Sequence, residues 1–213
     1  ILPQNQSFDK VKFELINNLI TVPVTINGTK LTFVLDSGVS KPILFNLTAQ
    51  DSLQINQVSE VSIRGLGEGE AIKALSSKHN EFKLGDAINH DQELYVVLDK
   101  GINFSPFLGV TVHGIIGYDL FRDFIVELNY GAEWIKLHDR NEYNKKPHRK
   151  AISLPLEVMD KKAYLKGTIV SRNNGDIPVK LLVDTGSSDA LWLFQNAEKG
   201  LQVPANNYED FLG

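Results

Sequence analysis

No cysteine occurs among the 213 residues, which excludes a disulfide framework, a thiolate metal site and a cysteine nucleophile. No run of 18 or more apolar residues occurs either, so no helical membrane span is expected. Basic residues are outnumbered, with 22 Lys and Arg against 26 Asp and Glu and a formal net charge of −4. That balance lacks the clustered positive face that nucleic acid requires, and no nucleic-acid partner is expected. The five histidines, at 79, 90, 113, 138 and 148, contain no pair spaced i, i+4 and no HExxH. We therefore expect no metal and no other cofactor. Only His113 lies beside a segment used below, and the basic cluster Lys145, Lys146, Arg149 and Lys150 reads as a solvated linker. Four Asn-x-Ser/Thr sequons, at Asn5, Asn27, Asn46 and Asn103, read as chance matches in an Asn-rich chain. The opening ILPQNQSFDK has neither the charged start nor the apolar middle of a signal peptide. Beginning on Ile rather than Met, it reads as the start of a mature or excised segment.

Hydrophobic residues make up 42% and charged residues 23% of the chain, an ordinary globular composition with enough apolar content for a core. In LITVPVTINGTKLTFVLD, from Leu19 to Asp36, Val22, Val24 and Ile26 alternate with polar neighbours, as do Leu31, Phe33 and Leu35. The Asn27-Gly28 pair between them predicts a β-hairpin whose second strand ends on Asp36. The pattern returns in ISLPLEVMDKKAYLKGTIVSRNNGDIPVKLLVD, where two apolar runs flank a turn-rich NNGD and end on Asp184. Each acid is followed by Ser or Thr, then Gly, then a second apolar run, Ile43-Leu44-Phe45 or Leu191-Trp192-Leu193-Phe194. The copies lie 148 positions apart (184 − 36), a spacing that suits a duplicated lobe rather than a solenoid unit. The predicted organisation is a first lobe over 1–139, a linker over 140–150 and the beginning of a second lobe over 151–213.

Two further segments of the first half carry information. VSIRGLGEG, from Val61 to Gly69, is a short strand running into glycines at every second position, which suits a hairpin tip. A dinucleotide loop is the rival reading, but the glycines fall as G-x-G-x-G and no βαβ pattern surrounds them. VTVHGIIGYDLFRDFIVELNY, from Val110 to Tyr130, offers an apolar pair with glycine, a short helix from Tyr118 and an alternating strand. The whole reads as mostly β with little helix.

An Asp-Ser/Thr-Gly after a strand is by itself ordinary turn chemistry, because Asp and Gly are favoured turn residues. Two copies in repeated contexts mean more, since pseudo-twofold packing would bring both acids to one axis. Carboxylates a few ångströms apart resist double ionisation and share a proton.

With the loops Leu35-Asp36-Ser37-Gly38 and Val183-Asp184-Thr185-Gly186, the glycine-bearing tip and Ile115-Ile116-Gly117 before a short helix, the chain resembles the retropepsin-like aspartic proteases of the single-chain, two-lobed bacterial kind. That resemblance implies closed β-barrel lobes, a peptide or protein substrate and hydrolysis by water held between Asp36 and Asp184. It implies that Ser37 and Thr185 hydrogen-bond across the lobes, that Gly38 and Gly186 permit close backbone approach, and that Ile115, Ile116 and Gly117 prop the Asp36 loop. Gly65, Leu66, Gly67 and Gly69 would form a flap over substrate. Export to the periplasm or exterior is the expected localisation, from the family's habit and the non-Met start.

The second copy is short. Its acid is followed by 29 residues (213 − 184), whereas the propping segment begins 79 residues after the first acid (115 − 36). A chain truncated within its second lobe is the expectation, completed by a second chain or by the missing remainder, beyond which the family often carries a PDZ domain. The alternative is a peptide-binding module of the same fold without turnover.

Overall fold

The computed structural model describes residues 1–48, 53–63, 72–98, 104–144, 146–171, 175–196, 198 and 200–203. It is mostly β. Among the described residues there are fourteen strands and two short helices, beginning with β1 (Phe8–Lys12), β2 (Glu14–Ile16), β3 (Leu19–Ile26), β4 (Thr29–Leu35), β5 (Ile43–Leu44) and β6 (Val58–Ile63). Next come β7 (Ile72–Leu84), β8 (Ala87–Val97), α1 (Ser105–Leu108), β9 (Gly114–Ile116), α2 (Tyr118–Asp123), β10 (Phe124–Asn129) and β11 (Trp134–Asp139). Last are β12 (Glu157–Met159), β13 (Lys162–Ser171) and β14 (Gly175–Leu182).

Eight strands form one sheet in the order β2-β3-β4-β9-β5-β8-β7-β6, and a further pairing of β3 with β7 joins the last strand but one back to the second. Strands β3, β4, β9, β5, β8 and β7 therefore close into a ring, which removes most open edges. Its inside holds the core, with Ile20, Ile26, Phe33, Leu35, Leu44 and Leu94 wholly buried. Hydrophobic alternation in β3 and β4 is what aims these side chains inward. Pro23, exposed in β3, sits beyond the last β2 pairing at Thr21 and before the β7 pairing at Thr25. Its missing N–H thus falls where that flank of the strand has no partner.

The β3–β4 hairpin turns on Asn27 and Gly28, both at positive φ (47° and 84°). Those angles at both central residues mark the primed turn whose twist matches the strands it joins. Asn27 also reaches into the fold: its side-chain amide donates to Gln54 O at 2.6 Å and to Asn80 Oδ1 at 2.8 Å.

Asn80 is wholly buried in the long β7–β8 hairpin. Its Oδ1 also accepts from the Asn56 backbone N–H at 3.2 Å, while its Nδ2 donates to Ser77 Oγ at 2.9 Å and Gln92 O at 3.3 Å. Ladder register shifts on both sides of Asn80 free the polar groups that this amide satisfies. Asn80→Ala should leave several of them buried and unpaired and lower unfolding free energy by about 2–4 kcal/mol, read by urea unfolding. A loss under about 0.5 kcal/mol would mean that water replaces the amide at no cost.

Beyond the ring, β1-β11-β10 form a second sheet and β12-β13-β14 a third. The third sheet opens to solvent, with Val158 and Val170 at 58% and 81% exposure. Only Ile177 of its apolar residues belongs to the buried set. Among the described residues no helix is long and apolar enough to cross a membrane.

Candidate active site

The two acid loops leave the ends of equivalent strands. Asp36 follows β4, Asp184 follows β14 by two residues, and each is the first polar residue after a run of apolar side chains. Parallel pairing aligns Leu35 with Ile116, so the next residues along, Asp36 and Gly117, become neighbours. The Asp36 N–H donates to Ile116 O at 2.7 Å, and the Tyr118 N–H donates to Val39 O at 2.9 Å. A Cβ on Gly117 would lie 1.9 Å from Asp36 O. Ile115, Ile116 and Gly117 thus lie directly against the Asp36 loop.

Ser37 and Thr185 join the two loops reciprocally. The Ser37 hydroxyl donates to Val183 O at 2.6 Å and accepts from the Thr185 N–H at 3.1 Å. The Thr185 hydroxyl donates to Leu35 O at 2.8 Å and accepts from the Ser37 N–H at 3.0 Å. Each hydroxyl therefore uses donor and acceptor together, as only Ser and Thr can do at this reach. These four bonds tie the two acid loops together at their bases.

Each acid accepts a hydrogen bond from the glycine two residues on, Gly38 N–H to Asp36 Oδ1 at 2.7 Å and Gly186 N–H to Asp184 Oδ1 at 2.8 Å. A Cβ on Gly38 would stand 3.0 Å from Asp36 Oδ1 and 3.6 Å from Asp184 Cγ, and one on Gly186 would stand 2.3 Å from Asp36 Cγ. The two carboxyls and the two glycines occupy one small volume. There, burial pushes the Asp36 carboxyl up to about 7, the negative charge of Asp184 and a side-chain hydrogen bond with it add to the rise, and the Gly38 N–H and the more distant Lys162 oppose it. A carboxyl so placed holds its proton near neutrality and can donate it.

The expected flap residues Gly65, Leu66, Gly67 and Gly69 lie outside the described residues. His113 is used by the fold: its Nδ1 accepts from the Thr32 N–H at 3.1 Å, which fixes the proton on Nε2 when the ring is neutral. No group of three or more potential metal ligands occurs among the described residues. The two apolar runs after the acids diverge. Leu44 and Phe45 are wholly buried, with Ile43 and Leu44 paired to β8 and β9, whereas Trp192 and Phe194 are 50% and 83% exposed. The first run has strands on both sides, and the second forms no strand.

Sequence reasoning missed two asparagines. Asn17 and Asn18 form the β2–β3 turn, and Asn18 Nδ2 donates to Ser188 O, in the Asp184 loop, at 3.3 Å. Adjacent asparagines between two apolar runs were the available signal, since Asn tolerates the positive φ that both adopt.

Residues 22–120 match a family model described as aspartyl protease. Among solved structures, the chain is similar to a retropepsin-like aspartic protease from Rickettsia conorii, at 16% identity over 62% of this chain and 90% of that one, with a TM-score of 0.45. It is also similar to the EIAV protease in complex with an inhibitor, at 19% identity over 48% of this chain and 85% of that one, with a TM-score of 0.36. No curated protein matches the chain.

Proposed function

We propose that the chain is a retropepsin-like aspartic protease, a reading supported by the aspartyl protease model matched over residues 22–120, in which Asp36 and Asp184 form a proton-sharing pair that hydrolyses peptide bonds. The observation that carries this reading is the reciprocal Ser37–Thr185 hydrogen bonding, which sets the Asp36 and Asp184 carboxyls side by side against Gly38 and Gly186; burial and the Asp184 charge, which raise the Asp36 pKa, agree with it. Asp36 is then the protonated partner and Asp184 the base. Asp184 takes a proton from a water whose oxygen bonds to the scissile carbonyl carbon, while Asp36 donates its proton to the carbonyl oxygen. Collapse of the tetrahedral intermediate breaks the C–N bond, with a proton passing to the leaving amine. Neither a side-chain nucleophile nor a metal takes part in these steps.

The substrate would bind as an extended strand, its backbone paired in the cleft. The organisation we propose is a first lobe over 1–139, a linker over 140–150 and part of a second lobe from 151. Pairing with a second chain, or with further chain of its own, would cover the exposed Leu191–Phe194 run. That exposure favours one other reading, a peptide-binding module without turnover in this form.

The test is cleavage of a peptide library, with and without a statine-type transition-state mimic, on wild type, Asp36→Asn and Asp184→Asn. Hydrolysis blocked by the mimic and reduced at least about a thousandfold by each substitution is the expected result. Activity that survives Asp36→Asn rejects the assignment. Saturable peptide binding without hydrolysis from about pH 3 to 8 selects the binding module instead.

A further inference from the structure

The β2–β3 turn and the β12–β13 turn are copies of one another. Asn17 and Asn18 have φ of 48° and 64°, and Asp160 and Lys161 have φ of 49° and 62°. Each turn follows a three-residue strand beginning on glutamate, Glu14–Ile16 or Glu157–Met159, and precedes the strand that leads to its lobe's acid hairpin. Both project across to the other half of the site. Asn18 reaches Ser188 O in the Asp184 loop, while Asn17 Nδ2 donates to Phe107 O at 2.9 Å within the first lobe. In the opposite direction, the Lys161 ammonium lies 5.9 Å from the centre of the Tyr118 ring. Tyr118 in turn donates its N–H to Val39 O, in the Asp36 loop.

We propose that these two turns are cross-lobe struts, each holding the partner lobe's acid loop at working distance, with Asn18 the positioning residue that acts on Asp184. This deepens the proposed proton-sharing pair and rests on that reading. The Ser37 and Thr185 hydroxyls pin the loops at their bases, but four bonds close to one axis resist rotation of one loop against the other only weakly. A contact at Ser188, four residues past the acid, supplies a second anchor on the far side of the Asp184 loop. Asn18 is suited to this because its short amide reaches a carbonyl while its backbone holds a left-handed turn at little cost. Anchored first to Phe107 through Asn17, the turn is a rigid support rather than a free tip.

The test uses Asn18→Gly, which keeps the positive φ and removes only the amide, with Glu133→Gly as control. Glu133 has φ 53° in the β10–β11 turn, so its change relaxes an equivalent backbone remote from the acids. Two readouts are followed in the full chain: amide hydrogen exchange at Ser37 and Thr185, and carbon-13 titration of the Asp36 carboxyl, whose charged neighbours are Asp184 and the more distant Lys162. The expected result for Asn18→Gly is exchange at least about threefold faster at Thr185 and an Asp36 midpoint lower by about half a unit or more, as Asp184 drifts away. Glu133→Gly should change neither. Wild-type values in Asn18→Gly, or equal changes in both variants, overturn the strut. A wild-type Asp36 that titrates in the ordinary carboxylate range defeats the proton-sharing reading instead, and exchange at Thr185 alone then decides for or against the strut.

Discussion

Asp36→Asn is expected to make the protein more stable near pH 7 while it removes any peptide hydrolysis. Burial and the Asp184 charge raise the native pKa of Asp36 to about 7, against about 3.9 for an aspartate in an unfolded chain. Between those two values the native state holds a proton that the unfolded state has released, so stability falls as pH rises through that window. Below about pH 4 both states are protonated and above about pH 7 both are ionised, and the contribution of Asp36 is flat in each range. A shift of about three units corresponds to at most about 4 kcal/mol, and solvent at the half-buried Asp36 and the exposed Asp184 reduces the expected gain to about 1–3 kcal/mol at pH 7.5. Asparagine suits the vacated position, since its Oδ1 can still accept the Gly38 N–H and its Nδ2 can donate to Asp184. Glu93 works with the opposite sign, because its hydrogen bond to Lys41 lowers its pKa and its support is lost as pH falls. Urea unfolding of both proteins at about pH 4 and about pH 7.5 provides the check: the variant should gain at the higher pH and little at the lower. Equal effects at both values would show that Asp36 is not held protonated by its surroundings.

How much of this was legible in the sequence follows from how local each cause is. The Asn27-Gly28 turn was readable because positive φ at two adjacent residues is an intrinsic demand that Asn and Gly meet. The helix from Tyr118 and the strand from Phe124 were readable from apolar spacing, and the acid loops from their repetition. Hairpin β7–β8 was not. Its inward positions include Ser76, Ser77, Asn80 and Gln92, all buried, so the hydrophobic pattern that marks a strand is broken by polar groups satisfied only in three dimensions. Pairing of β3 with β7 spans Thr25 to Lys83 and Ile26 to Phe82, and that of β1 with β11 joins Phe8 to His138. Registers at such separation depend on the folded ring and leave no local trace. The reach of Asn18 to Ser188 is of the same kind: the residue type was visible, its target was not.

Gly117→Ala should be the most damaging added methyl among the described glycines. Its φ of −160° lies outside the left-handed region, and the cost comes chiefly from space. The added Cβ would stand 1.9 Å from Asp36 O and 2.8 Å from Val39 O, both backbone atoms that no rotamer change can move. Relief requires parting the propping segment from the acid loop, against the Asp36 N–H bond to Ile116 O and the Tyr118 N–H bond to Val39 O. The expected loss is about 3 kcal/mol or more, at the upper end of overpacking. Gly28→Ala is the informative comparison, because a Cβ there meets nothing within 4 Å and only its φ of +84° is strained. About 1 kcal/mol is expected for it. The two losses also differ in what accompanies them. Parting the segment from the loop moves Asp36 away from Asp184 and toward water, so the Asp36 midpoint should fall in Gly117→Ala and stay near 7 in Gly28→Ala. A Gly117→Ala protein that remains within about 1 kcal/mol of wild type, with Asp36 unchanged, would mean that Ile115, Ile116 and Gly117 lie beside the loop without supporting it.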